Sequence, residues 1–551
     1  MTRTKIYGIN TILIIVLLLT ACSTINTVKN IQKNGLVWKE MYTYYVNDSL
    51  TLSYRFPGGG YDQITKKNKI RNFLVKAGNS LPLNYCIACF KTTNPAFTHF
   101  TFYFPNTKLT IHNKLLNAVK KDTTDFYVDT NKSIVGKFVS LENNKGSVYI
   151  IGHSKKNQFS NLKKEYADVF NHIVKNEKYR DITFTPPFEL AREREIDEDS
   201  TVNYLMPVHL LKENESNYTS ISSKYYWLQA YGTFVSRLTS EQKEIQECVN
   251  KFTINSIKRD ELVSSENTMP INDDALSYLI QNCKDEQVVM INENHFAPQH
   301  RILGEIILDS LYNYGFRYLG MEAIWENDTV LNERGFAVTH TGFYTREPMM
   351  ANLIRKAIEK GYYIFGYDDF TDDREKMEAI NIYQKTILKD SLCKVLIWAG
   401  LGHIDESKYM AREFFLLTGI DPLTINQTNC ITEGDEYLMI LDTTTLKNRR
   451  NTCDIFVANN INYDIFAVKS DFKNYKIGIP KEIAKQVKNN PLTFIVSIFR
   501  TSEYQKDKTA IPVYNHVLSN KSSKISIKLP DNEYYYIIKH KYGKILYQNI
   551  L

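Results

Sequence analysis

Between residues 288 and 425 one pattern recurs: a short apolar run, a stretch with apolar residues at helical spacing, then another short run. The runs Val288-Val289-Met290-Ile291, Phe316 to Met321, Tyr362 to Tyr367, Lys394 to Ala399 and Leu423-Thr424-Ile425 are rich in β-branched and aromatic residues. They are too short for helices and apolar on both faces, which is how a buried parallel strand reads. The first intervening helix is bounded by Pro298, favourable in a first turn, and Gly315, favourable as a left-handed stop. A second runs from Pro348 to Gly361, a third from Asp373 to Lys389 and a fourth from Glu406 to Thr418. Parallel strands need crossover connections, and helices supply them. The expected class is therefore α/β, with a mainly parallel sheet and flanking helices in the central to C-terminal half.

In such sheets ligands bind beyond the carboxyl ends of the strands. Residues able to move protons or hold metals sit where these runs stop: Glu293 and His295 after the first, Glu322 after the second, Asp368 after the third and His403 after the fourth. A single strand-end Glu or His is usually a cap or a solvated loop residue. Helix caps have no reason to alternate Glu and His along one edge, so Glu293, His295, Glu322 and His403 are the candidate catalytic residues. Arg346, Asp368 and Arg374 are candidate substrate-binding residues, the arginines as a clamp for a carboxylate or phosphate.

The segments Ile291-Asn292-Glu293-Asn294-His295, Pro298 with His300-Arg301, Gly320-Met321-Glu322, Arg374-Glu375 with Ala379 and Asn381-Ile382, and Ala399-Gly400-Leu401-Gly402-His403 resemble the erythromycin-esterase, ChaN-like and Tiki/TraB group of α/β proteins. The resemblance covers residues 285 to 427, under a third of the chain. It implies a shared cleft lined by Glu293, His295, Glu322 and His403, in a group whose activities include ester hydrolysis, proposed metal-dependent proteolysis and haem binding. The chain departs from the group at Asn292, where glycine is usual, at Asp368, where glutamate is common, and at Leu401, where an aromatic residue is common.

Two chemistries fit. A neutral His295 or His403 with its tautomer fixed by a glutamate takes a proton from water, which attacks an ester, amide or lactone. Alternatively Glu293, His295, Glu322 and His403 hold a divalent ion, Zn or Mn, that acidifies bound water. Spacing does not choose between them, because Glu-x-His at a strand end is not the helical His-Glu-x-x-His zinc signature. No Gly-x-Ser-x-Gly elbow is present, which disfavours a serine nucleophile. The reading is an extracytoplasmic hydrolase acting on a small-molecule or peptide substrate. The alternative is a non-catalytic lipoprotein that binds haem or another ligand.

The first 21 residues have Arg3 and Lys5 before an apolar core, Ile12 to Leu19, and end at Leu19-Thr20-Ala21-Cys22. That is the form of a bacterial lipoprotein signal, with Cys22 as the lipidated residue, palmitate in its anchor, 22–34 as tether and the cell envelope as location. The formal charge of +7 falls by two when Arg3 and Lys5 leave, and the basic residues form no long run. Nucleic acid is not an expected partner. Cys86-Ile87-Ala88-Cys89, with no second pair, reads as buried thiols.

Residues 35–265, with alternating runs at 48–54 and 97–104 and a helix near 163–176, read as an α+β domain. A polar connector follows at 258–274, then the α/β domain at 275–440. A β-rich module at 441–551 takes strands from the runs beginning at Tyr463, Phe494 and Tyr534.

Overall fold

The structure is a computed structural model that describes residues 36–39, 42–47, 50, 52–56, 59–64, 85–94, 97–104, 119–121, 127–129, 132–141, 146–175, 185–218, 221–252, 257–258, 275–371, 373–428, 430–431, 438–441, 452–487, 492–518 and 524–551. The signal segment, Cys22, the tether and nearly all of the polar connector lie outside these residues. The chain forms two compact units, one made of 1–189 with 214–227 and the other of 190–213 with 228–551. Divisions near 265 and 440, suggested by changes in sequence pattern, do not coincide with these boundaries. Strand Ile455–Asn459 joins the parallel sheet from beyond residue 440.

The first unit is mainly antiparallel. Its seven-stranded sheet centres on Thr98–Phe104 and Ser147–His153, and a four-stranded sheet includes Tyr42–Asn47 and Leu52–Arg55. Helix Phe159–Asn171 buries Leu162, Tyr166, Val169 and Phe170 among aromatic and aliphatic strand residues. A register shift between Cys86 and Ala88 puts Cys86 and Cys89 into the same apolar cluster. Burial raises both thiols well above their ordinary range.

Inside this unit His99 is fully buried. Nδ1 lies 2.7 Å from Tyr166 Oη, and Nε2 lies 2.7 Å from Tyr54 Oη and 3.0 Å from Thr101 Oγ1. Hydroxyls satisfy a neutral ring, and burial lowers its pKa from the ordinary value to about 3. The unfolded chain therefore takes up a proton near pH 6.5 that the folded chain refuses. Stability is complete above that pH and declines as pH falls toward 3, by about 1.4 kcal/mol per pH unit. Urea unfolding at pH 7 and pH 5 should show a smaller acid loss for His99→Gln than for the wild type; equal losses would show that His99 stays outside the acid response.

The second unit contains the parallel sheet. Its strands are β1 (Val288–Glu293), β2 (Phe316–Met321), β3 (Tyr363–Gly366), β4 (Lys394–Gly400), β5 (Leu423–Asn426), β6 (Leu438–Leu441) and β7 (Ile455–Asn459), in the order β3-β2-β4-β1-β5-β7-β6. All pairs are parallel except β6 with β7. The crossovers are α1 (Pro298–Asn313), α2 (Pro348–Lys360), α3 (Arg374–Lys385) and α4 (Met410–Thr418). Val288, Met290, Val395 and Ile397 pack on one side with Ile382 of α3 and Phe414 of α4. On the other side the Trp398 ring lies where a side chain at Gly304 of α1 would be, since a Cβ there would meet it at 2.8 Å.

The α/β class expected from the sequence is the class observed. The run beginning at Tyr463 is instead a helix, Tyr463–Lys469, with the Phe466 amide bonded to the Asn462 carbonyl. Its apolar run satisfies either periodicity at that length. The remainder of 441–551 is strand-rich, with a four-stranded antiparallel sheet built on Phe494–Arg500 and Tyr534–His540. No helix among the described residues is long and apolar enough to cross a membrane.

Candidate functional site

The carboxyl ends of β1, β2 and β4 adjoin one another, so residues 293, 322 and 403 meet although up to 110 positions separate them in the chain. Glu293 closes β1 and is buried. Arg301, in the first turn of α1, bonds both its oxygens, from Nε at 2.8 Å and Nη2 at 2.7 Å, and Trp398 Nε1 donates to Oε2 at 2.8 Å. Burial alone raises a carboxyl, but here Arg301 outweighs it and holds Glu293 far below the ordinary carboxylate range. Arg301 also bonds Glu347 Oε2 at 2.7 Å. Glu347 caps α2, accepting the Met349 and Met350 amides at 2.8 and 2.7 Å.

His295 extends this chain toward solvent. Its Nδ1 is 3.1 Å from Glu293 Oε1, and its ring stacks on Tyr344, centroids 3.9 Å apart at 13°. His300 fixes the intervening loop, accepting the Asn294 amide on Nδ1 at 3.0 Å. Burial lowers the His300 pKa to about 3, so the ring is neutral, and the Asn294 amide selects Nδ1 as the nitrogen without a proton. Asn292 binds the Leu401 carbonyl at 2.7 Å and the Gln427 amide at 2.9 Å, so its side chain ties β1 to the loops after β4 and β5.

Glu322 stands opposite His295, with Gly400 between them. A methyl group at Gly400 would lie 2.7 Å from Glu322 Oε2 and 2.9 Å from His295 Nε2. The Gly400 amide donates to Glu322 Oε2. Glu322 Oε1 is 2.9 Å from Arg374 and 3.6 Å from His403 Nε2. Burial raises the Glu322 carboxyl, but His403, His295 and Arg374 together bring it below its ordinary value. His403 Nδ1 faces Glu375 Oε2 at 2.9 Å and Glu378 Oε2 at 3.2 Å. Burial lowers His403, but the surrounding Glu375, Glu378 and Glu322 carboxylates outweigh it and raise it to about 10, so the ring is an imidazolium at neutral pH.

Gly400→Ala should displace the Glu322 carboxylate and break its bond to the backbone, at a cost of about 1–3 kcal/mol. A crystal structure of the variant with Glu322 unmoved would contradict this account of the glycine.

The structure thus brings Glu293, His295, Glu322 and His403 into one contiguous cluster. Glu293 is not available to a metal, since Arg301 and Trp398 occupy its two oxygens, so the four-residue metal set expected from the sequence does not form. Asp368 is near the cluster, but its Oδ1 takes Arg374 Nε at 2.9 Å and Nη2 at 2.6 Å. Arg374 is spread over Asp368, Glu322 and Glu378, so its role is to order carboxylates. Arg346 is buried and bonded to Glu195 Oε1 at 2.5 Å and the Thr339 carbonyl at 2.9 Å, which makes it a strut under the Thr339–Glu347 segment and not a substrate clamp. Sequence reasoning passed over Tyr344, Glu378 and Trp398. Glu378 alone left a signal, the i,i+4 spacing from Arg374 that pairs side chains on a helix.

No family model matches the chain, and no curated protein does. Among solved structures, the type III effector HopBA1 is 16% identical with a TM-score of 0.27, the match covering 36% of this chain and 99% of that one. RRSP, a MARTX toxin effector domain from Vibrio vulnificus CMCP6, is 16% identical with a TM-score of 0.18, over 33% of this chain and 40% of its own. A crystal structure of bacterial protein toxins is 13% identical with a TM-score of 0.21, over 44% of this chain and 61% of that one.

Proposed function

We propose that this protein is a hydrolase of the erythromycin-esterase, ChaN-like and Tiki/TraB kind, acting on an ester, amide or lactone, and that Cys22 anchors it by lipid outside the cytoplasm. The observation that carries the catalytic reading is the Glu293–His295 pair beside Glu322. With Nδ1–H given to an anionic Glu293, His295 keeps its lone pair on Nε2, the nitrogen next to Glu322. That is a general base with its tautomer fixed by a buried carboxylate.

In this reading His295 Nε2 takes the proton of a water oriented by Glu322, the oxygen attacks the substrate carbonyl, and the protonated His295 returns the proton to the leaving oxygen or nitrogen as its bond to that carbon breaks. The His403 imidazolium, with Nε2 on the same side as Glu322, supplies positive charge for the oxyanion that develops. Glu293, Arg301 and Glu347 are positioning residues, and Tyr344 fixes the plane of the His295 ring. Purified protein assayed against panels of esters, lactones and peptides tests the proposal. Turnover of one class supports it; no turnover in any panel from folded protein counts against it.

A further inference from the structure

Beside the Glu322 pair, three donor atoms form a smaller cluster with different chemistry. Glu375 and Glu378 stand three residues apart in the opening turn of α3, the spacing that puts two side chains on one helix face. His403 meets them from the loop after β4. One donor atom from each of the three lies within 4.8 Å of the others. Glu378 is wholly buried, and neither of its oxygens accepts a hydrogen bond. Arg374 Nε at 3.0 Å and His403 Nδ1 at 3.2 Å are at ion-pair distance but off the N–H direction. A buried carboxylate left in that state is out of keeping with the close pairing elsewhere in the site, and it points at the other two donors.

We propose that Glu375 Oε2, Glu378 Oε2 and His403 Nδ1 bind a divalent first-row transition ion, zinc or manganese. The geometry is close to what an ion needs. Bonds of 2.0–2.2 Å hold neighbouring donors about 3.0–3.5 Å apart, and Nδ1 already lies 2.9 and 3.2 Å from the two oxygens. Charge agrees as well: Glu322, Asp368, Glu375 and Glu378 are met by Arg374 and His403 alone in the contacts that join them. An imidazole among the ligands selects against magnesium and calcium, which prefer oxygen throughout. The ion takes the place of the proton on Nδ1, which passes to solvent. Nε2 keeps its proton and its direction toward Glu322. Glu375, at 29% side-chain exposure, leaves the approach from solvent open.

This site shares only His403 with the metal set that the sequence suggested, and it does not rest on the hydrolase reading. The test uses full-length protein stripped with a chelator and desalted, titrated calorimetrically with Zn²⁺, Mn²⁺, Mg²⁺ and Ca²⁺. One Zn²⁺ or Mn²⁺ per chain is expected, with Glu375→Gln and Glu378→Gln each weakening it roughly tenfold or more and Asp369→Asn leaving it unchanged. Should Glu378→Gln fail to fold by circular dichroism, Glu375→Gln carries the comparison alone, because its side chain is nearer solvent. No saturable uptake below about 1 mM, or uptake that both glutamine variants retain in full, overturns the proposal. Activity is not the readout, so either result leaves the His295–Glu322 reading where it was; a bound ion then supplies, through His403, the positive charge that the Nδ1 proton otherwise provides.

Discussion

Arg301→Met is expected to cost about 3–5 kcal/mol of stability. Arg301 is fully buried between two carboxylates, and removing the cation leaves Glu293 and Glu347 facing each other's charge without water. Uncompensated buried charge is what makes breaking such a pair expensive, whatever the pair itself contributes. The Glu293 carboxylate keeps the Trp398 indole and His295 as partners, and Glu347 keeps two backbone amides, so the loss falls mainly on electrostatics. Chemical denaturation of wild type and variant measures it. A change under about 1 kcal/mol would mean that the two acids are protonated in the folded state. Replacing Glu293, Arg301 and Glu347 together by Gln, Met and Gln should recover part of the loss, because no charge is then stranded.

Glu322→Gln should leave the fold nearly untouched and lower hydrolysis by about 10²–10⁴-fold, the range that positioned acid–base groups supply. Glutamine has the same shape and still accepts the Gly400 amide through its carbonyl oxygen. It removes the charge that faces His403 and Arg374 and the second acceptor that orients water toward His295. The loss should appear in kcat more than in KM, since the interaction strengthens as charge moves. Full activity in the glutamine variant would remove Glu322 from the mechanism and with it the pairing on which the hydrolase reading depends.

Much of the α/β unit was legible in the sequence because parallel strands buried on both faces have a composition of their own, and because Pro298, Gly315, Pro348 and Gly361 punctuate the helices as backbone geometry requires. Gly315 and Gly361 are left-handed at φ 97° and 106°. The convergence of His295, Glu322 and His403 was legible for the same reason: topology alone places strand ends on one edge. The division of labour among them was not. Glu293 and Glu322 have the same local sequence position, at or just after a strand end, and only the third dimension shows that Arg301 consumes one while the other faces His295 and His403. Arg346 illustrates the opposite error, for a charged residue before a helix looks exposed until Glu195, 151 positions earlier, is found against it. The helices Met206–Glu213, Ile221–Val235 and Gln242–Phe252 went unread because strand-like aromatic runs earlier in 35–265 set the expectation for the whole segment.

Trp398 joins the two halves of the site's support, with its indole nitrogen on Glu293 and its ring filling the space that Gly304 leaves. A buried indole hydrogen-bonded to a carboxylate emits differently from one in water. The chain therefore contains an optical gauge of the Glu293–Arg301 contact, readable with only three other tryptophans to subtract.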